Sequence, residues 1–130
     1  MKSNIMVGVS ALKETVVNER DTAANYGSGA IEVYATPAMI ALMENTAKDC
    51  VDLHLPLGHT TVGIEVNIKH MKATPVGMKI KCEAVLDKVE DKKLTFKVEA
   101  WDEKGKIGEG THLRYIVNAQ EFMNRIRNND

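Results

Sequence analysis

"TPAMIALMENTAKDCVDLHLPLGHTTVGIEVNIKH", residues 36–70, contains the change of period that decides the fold. Up to about Leu53 the apolar positions recur every three or four residues, with Met39, Ile40, Met43, Ala47, Cys50 and Val51 on one stripe, as in a helix packed by one face. Thr36 reads as its N-cap, and Pro37 suits the first helical position, where a missing N–H costs nothing. "PLG" at 56–58 stops the helix. From residue 60 the period drops to two: Val62, Ile64, Val66, Ile68 and His70 share one face, and Thr61, Gly63, Glu65, Asn67, Lys69 and Met71 the other.

Upstream, residues 6–17 alternate loosely as a strand, and 18–30 (NERDTAANYGSGA) form a polar, glycine-containing connection. Downstream, "TPVG" at 74–77 turns the chain into a strand with Met78, Ile80, Cys82, Ala84 and Leu86 on one face. "EDKK" at 90–93 and "DEKGK" at 102–106 read as hairpins on either side of Leu94, Phe96, Val98 and Ala100. A last strand, about 107–117, carries Ile107, Thr111, Leu113, Tyr115 and Val117 on one side, and 119–127 read as a short terminal helix. Short hairpins make the sheet mainly antiparallel, so the layout is α+β: one long central helix wrapped by a curved sheet, a hotdog arrangement. One helix cannot cover so many strands, and dimerisation is expected to complete the burial.

At 130 residues the chain is expected to be one domain, 1–130, large enough to bury a core without disulfides or metals. A net charge of −1 argues against broad nucleic-acid or membrane-surface binding. No apolar run approaches the roughly 18 residues of a membrane span, and the N-terminal stretch is broken by Ser3, Asn4, Gly8 and Ser10, unlike a signal peptide. Cys50 and Cys82 sit on apolar faces as buried thiols, so a cytoplasmic protein is expected.

Three residues interrupt these patterns. Stepping Ile40, Glu44, Ala47, Val51 puts a carboxylate on the line that faces the core. Glu44 is either a solvated group paired with Lys48, four residues on, or a partly desolvated base or nucleophile. His70 ends an aliphatic face, where it is either a hydrogen-bonded rim residue or a functional imidazole. Thr36 caps the helix, and a hydroxyl there also sits in the positive potential of a helix N-terminus. Together they make a set able to activate water or a nucleophile against an acyl carbonyl.

Other combinations carry less. His54 and His59 lack Cys or acidic partners at metal-ligand spacing, so no metal site is expected. "GSG" at 27–29 has no strand–GxGxxG–helix context, and no Ser lies in a GxSxG elbow. His112 and Arg114 share the face opposite Leu113 and Tyr115 and read as a surface or interface pair, with Arg114 able to meet a phosphate. Lys69, Lys72, Lys79 and Lys81 read as a solvated sheet face that could attract an anionic group.

Thr36, Glu44 eight residues on, and His70 another 26 on, with "ATPAMIALMENTA", "TVGIEVNIKHMKATPVG" and "GEGTHLRYIV" around them, resemble the fluoroacetyl-CoA thioesterase-like branch of the hotdog superfamily. The resemblance covers roughly residues 8–118. It implies hydrolysis of a small acyl-CoA thioester at a dimer-interface site, by a homodimer or tetramer, with no cofactor beyond the CoA carried by the substrate. On that resemblance Glu44 is nucleophile or general base, His70 polarises or shuttles the proton, and Thr36 orients the carboxylate or acyl group. Gly63 would let its backbone N–H approach the thioester carbonyl, while Met39, Met43, Tyr34 and Arg114 would contact substrate. The alternative is a non-catalytic acyl-CoA or small-ligand binding module on the same fold. A hydratase would need another acid–base pair after the helix, and none is present.

Overall fold

A computed structural model describes residues 5–128. Strand β1 (Ser10–Val16) leads through a 3-10 turn (Glu19–Asp21) and a single-turn helix α1 (Ala23–Tyr26) to the long helix α2 (Thr36–Asp52). Strands β2 (His59–His70), β3 (Lys79–Glu90), β4 (Lys93–Asp102) and β5 (Gly105–Asn118) follow, then helix α3 (Ala119–Asn128). All five strands form one antiparallel sheet in the order β1-β3-β4-β5-β2, which among the described residues leaves one edge of β1 and one edge of β2 unpaired. β1 starts later than the expected 6–17, because Gly8 turns the chain with a φ of 101° that only glycine adopts freely.

Helix α2 lies across the sheet and touches every strand. Met39, Met43, Ala47, Cys50 and Val51 are buried, as their spacing predicts. They meet Ile80, Cys82, Ala84 and Leu86 of β3 and Leu94, Phe96, Val98 and Ala100 of β4, all fully buried. Each large aliphatic side chain among these contributes on the order of 1.5–3 kcal/mol through burial. In β3 and β4 the alternation predicted from sequence is the alternation found.

In β2 and β5 it is not. A β-bulge between Gly63 and Glu65 shifts the pairing of β2 with β5, so Ile64 is an extra residue and the faces exchange there. Thr61 is buried, whereas Ile64 and Val66 are 52% and 44% exposed on the edge strand. In β5 the expected order is reversed: His112, Arg114 and Ile116 are buried, and Tyr115 is exposed. Both faces of β5 carry apolar residues, so alternation alone does not say which face is inside.

Thr36 is not the N-cap of α2. Ala35 takes that position, with extended backbone and no side-chain cap, and Thr36 is the first helical residue. The Thr36 hydroxyl is thereby released for another partner.

Candidate active site

Two polar clusters lie along α2. At its N-terminus, Thr36 Oγ1 is 2.7 Å from His70 Nδ1. Burial pushes the His70 pKa below its ordinary value, which keeps the ring neutral near pH 7. Its other nitrogen, Nε2, is buried and has no hydrogen-bond partner among the described residues. That leaves one ring nitrogen committed to Thr36 and one open.

The loop after His70 is fastened by Asp102, whose side chain is almost wholly buried at the end of β4. Asp102 accepts from Lys72 Nζ at 3.0 Å and Thr74 Oγ1 at 2.9 Å, and from the backbone N–H groups of Lys104 and Gly105. Burial alone would raise its pKa, but the Lys104 N–H, Lys72 and Thr74 outweigh this and hold the carboxyl below its usual range. Thr74 in turn accepts from the Tyr34 N–H at 2.8 Å, so the segment that leads into α2 hangs on the same anchor. Lys72 is thus tethered, and is not part of a free lysine face.

The second cluster sits two helical turns along, about 12 Å from Thr36 by the rise of an α-helix. Here Glu44 Oε2 is 4.0 Å from Arg114 Nη1. The guanidinium is held by Thr61, with Nε donating to Thr61 Oγ1 at 2.7 Å and Nη2 to the Thr61 carbonyl at 2.8 Å. Nη1 lies 3.1 Å from His112 Nε2, and His112 Nδ1 lies 2.8 Å from the Glu65 carbonyl. Gly63 forms the floor. A Cβ there would lie 2.9 Å from Glu44 Oε2, 3.2 Å from His112 Cε1 and 3.4 Å from Arg114 Nη1.

The bulge explains how one strand serves both clusters. Gly63 and His70 are seven residues apart, which in a regular strand would place them on opposite faces. The extra residue turns both toward α2.

Of the residues expected to contact substrate, Gly63 and Arg114 join the Glu44 cluster. Met39, Met43 and Tyr34 are buried in the core of the single chain. Arg114 is neither on the surface nor free for a solvent-borne phosphate, because Thr61 and His112 already occupy three of its N–H groups. A groove of about 640 Å³ lies elsewhere, lined by Leu12, Glu14, Lys81 and Trp101 among others, and holds none of the candidate residues.

The family described as fluoroacetyl-CoA-specific thioesterase matches residues 17–120. The chain is also 33% identical, over 74% of its length and 69% of the relative's, to the fluoroacetyl-CoA thioesterase of Streptantibioticus cattleyicolor. The chain belongs to this family. Among solved structures, a mutant of the fluoroacetyl-CoA-specific thioesterase FlK superposes with a TM-score of 0.90 at 30% identity, covering 99% of this chain and 100% of the other. A thioesterase-superfamily protein of Thermus thermophilus superposes with a TM-score of 0.87 at 29% identity, covering 95% and 91%. The fold is the hotdog fold, and membership of the family makes the protein a thioester hydrolase.

Two members of the Glu44 cluster escape sequence reasoning. Thr61 lies on the outward face of β2 if no bulge is counted. His112 reads as surface if Leu113 and Tyr115 are taken as the inward pair. The available signal was Ile116: it is two residues on from Arg114 and four from His112, and it packs into the core.

Proposed function

We propose that the protein hydrolyses a small acyl-CoA thioester to the free acid and CoA, at a site that two copies of the chain complete together. The observation that carries this reading is the separation of the set along α2, with Thr36 and His70 together at its N-terminus and Glu44 two turns on, near its middle. Reacting groups must converge to about 3–3.5 Å on one carbon, and the roughly 12 Å of axial rise from Thr36 to Glu44 favours a site whose Glu44 and His70 come from different chains.

The free edge of β2 offers the remedy. Two β2 strands paired antiparallel about a two-fold axis near Val66 set His70 of one copy against Gly63 of the other. The same pairing covers the exposed Ile64 and Val66, and it brings the partner's Thr36–His70 pair toward Glu44. A homodimer of this kind uses the edge strand as its seam.

In that site Glu44 attacks the thioester carbonyl, or takes a proton from the water that does. The carbonyl oxygen gains the negative charge, with the Gly63 backbone and the Arg114 guanidinium beside it. Collapse breaks the C–S bond. On the water route the CoA thiolate takes, through the Thr36-held His70 ring, the proton that Glu44 gained. On the covalent route a water then hydrolyses the acyl–Glu44 anhydride to the free acid, restores the carboxylate and gives its proton through His70 to the CoA thiolate. CoA enters with the substrate, so no separate cofactor is called for. A cytoplasmic location, where acyl-CoA is at hand, fits this role. Among the described residues no helix is long and apolar enough to cross a membrane.

The test is complementation. Glu44→Ala and His70→Ala are each purified inactive toward a panel of short and medium acyl-CoAs, then mixed after mild dissociation and reassociation. A shared site restores about a quarter of wild-type activity, since half the dimers are mixed and each has one intact site. No recovery, with dimers confirmed to exchange, would place the whole set within one chain. CoA-ester binding without turnover by the wild type would instead make the protein a ligand-binding module.

A further inference from the structure

We propose that His112 is a positioning residue that, as the neutral Nδ1–H tautomer, aims Arg114 at Glu44. The inference deepens the thioesterase reading above and rests on it for its kinetic consequence.

The chemistry of its neighbours fixes the tautomer. The Glu65 carbonyl can only accept, so the His112 Nδ1 at 2.8 Å from it carries the proton. The Arg114 guanidinium can only donate, so the His112 Nε2 at 3.1 Å from Nη1 is the bare nitrogen. No other protonation state satisfies both contacts.

The hold on Arg114 is then complete on three sides. Thr61 takes the Nε and Nη2 hydrogens, and His112 takes one from Nη1. The remaining Nη1 hydrogen is on the side of Glu44 Oε2, 4.0 Å away across the space above Gly63. An arginine side chain has four rotatable bonds, and without His112 the Nη1 end has no fixed partner but the half-exposed Glu44.

Protonating Nε2 would reverse the arrangement. Imidazolium and guanidinium would face each other N–H to N–H in a buried site. The groups that face the ring are Glu44 from α2, Arg114 from β5, the Glu65 carbonyl from β2 and the uncharged Phe96 ring from β4, 6.5 Å away. Burial disfavours the charged form most and Arg114 adds to that, while the Glu65 carbonyl and Glu44 oppose; the result is a pKa below the ordinary histidine value. As pH falls through that value His112 releases Arg114, and Glu44 loses its fixed counter-charge.

The experiment follows the Arg114 Nε–H and the histidine Cε1–H signals by NMR across pH 4–8 in the wild-type protein. The Arg114 signal is expected to move with the midpoint of His112 and not with that of His70. A signal that ignores His112 overturns the proposal, whether or not the protein turns over any thioester. Kinetics give the second arm. His112→Leu is expected to lower kcat/KM about 100-fold through kcat with KM little changed, and His112→Gln, which keeps an acceptor near Nε2, to recover most of that loss. In His112→Gln the acid limb of log kcat/KM against pH loses one unit of slope, because one required deprotonation is gone. A folded His112→Leu with full activity, or an acid limb unchanged in His112→Gln, would also overturn it. Absence of turnover in the wild type tells against the thioesterase reading alone, since the NMR arm needs no substrate.

Discussion

Gly63→Ala separates stability from activity in this fold. The added methyl would lie 2.9 Å from Glu44 Oε2, about half an ångström inside ordinary contact. The obstructing atom is the far end of a flexible side chain that is 42% exposed, so the carboxylate can swing away at little cost. Alanine also removes the conformational entropy that glycine loses in a strand, a gain of roughly 0.5–1 kcal/mol. The two effects offset, and the unfolding temperature is expected to stay within about 4 °C of wild type. Activity is another matter. A misplacement of about 1 Å at a catalytic group costs on the order of 100-fold, so half of that costs about 10-fold, and displacement of the neighbouring Arg114 and His112 adds to it. Thermal unfolding by circular dichroism and thiol release from an acyl-CoA read the two quantities on one sample. Unchanged melting with unchanged turnover would show that the space above Gly63 is not where the thioester sits, and a melting point lowered by tens of degrees would show that the backbone, not Glu44, yields to the methyl.

Two other glycines of the sheet are expected to behave differently from each other. A Cβ on Gly110 would lie 2.0 Å from the Asn67 carbonyl oxygen, a backbone atom that cannot move aside, so Gly110→Ala is expected to cost more than about 3 kcal/mol in chemical denaturation. At Gly108 the nearest atom is Met39 Sδ, the yielding end of a flexible side chain, and the cost should be clearly the smaller of the two. Asp102 has a lowered carboxyl pKa, so it stabilises the fold above its unfolded value near 4 and loses that contribution as pH falls through the lower native value. Asp102→Asn is therefore expected to cost about 2 kcal/mol at pH 7 and much less near pH 2, in urea unfolding at both values; an equal cost at the two pH values would refute the ionic role.

Helix α2 and the inner faces of β3 and β4 are legible in the sequence because each buries one side under a continuous partner, so the pattern and the environment share a period. His70 and Glu44 are legible as anomalies within such patterns. Thr36 is legible as a functional hydroxyl but not by its local role, since a Thr-Pro pair suits a cap as well as it suits a first-turn residue. His112 and Thr61 stay hidden because their burial depends on a bulge, which has no side-chain signature, and on which of two mixed faces of β5 turns inward. The inward face is the one that carries Ile116, which packs into the core two residues beyond Arg114.

The bulge at Ile64 also bears on how such a site can change over generations. Because one supernumerary residue lets Gly63 and His70 face the same way, a substitution that keeps the β2 backbone leaves both positions turned toward α2. Deleting one residue does not. Loss of Ile64 would leave every residue type of the site in the chain and nearly every rung of the ladder pairable, yet it would turn one half of the strand's functional groups to the opposite face. The site is therefore more exposed to a three-nucleotide deletion than to most missense changes along this strand, and silent, well-folded descendants of the family are to be sought among chains shorter by one here.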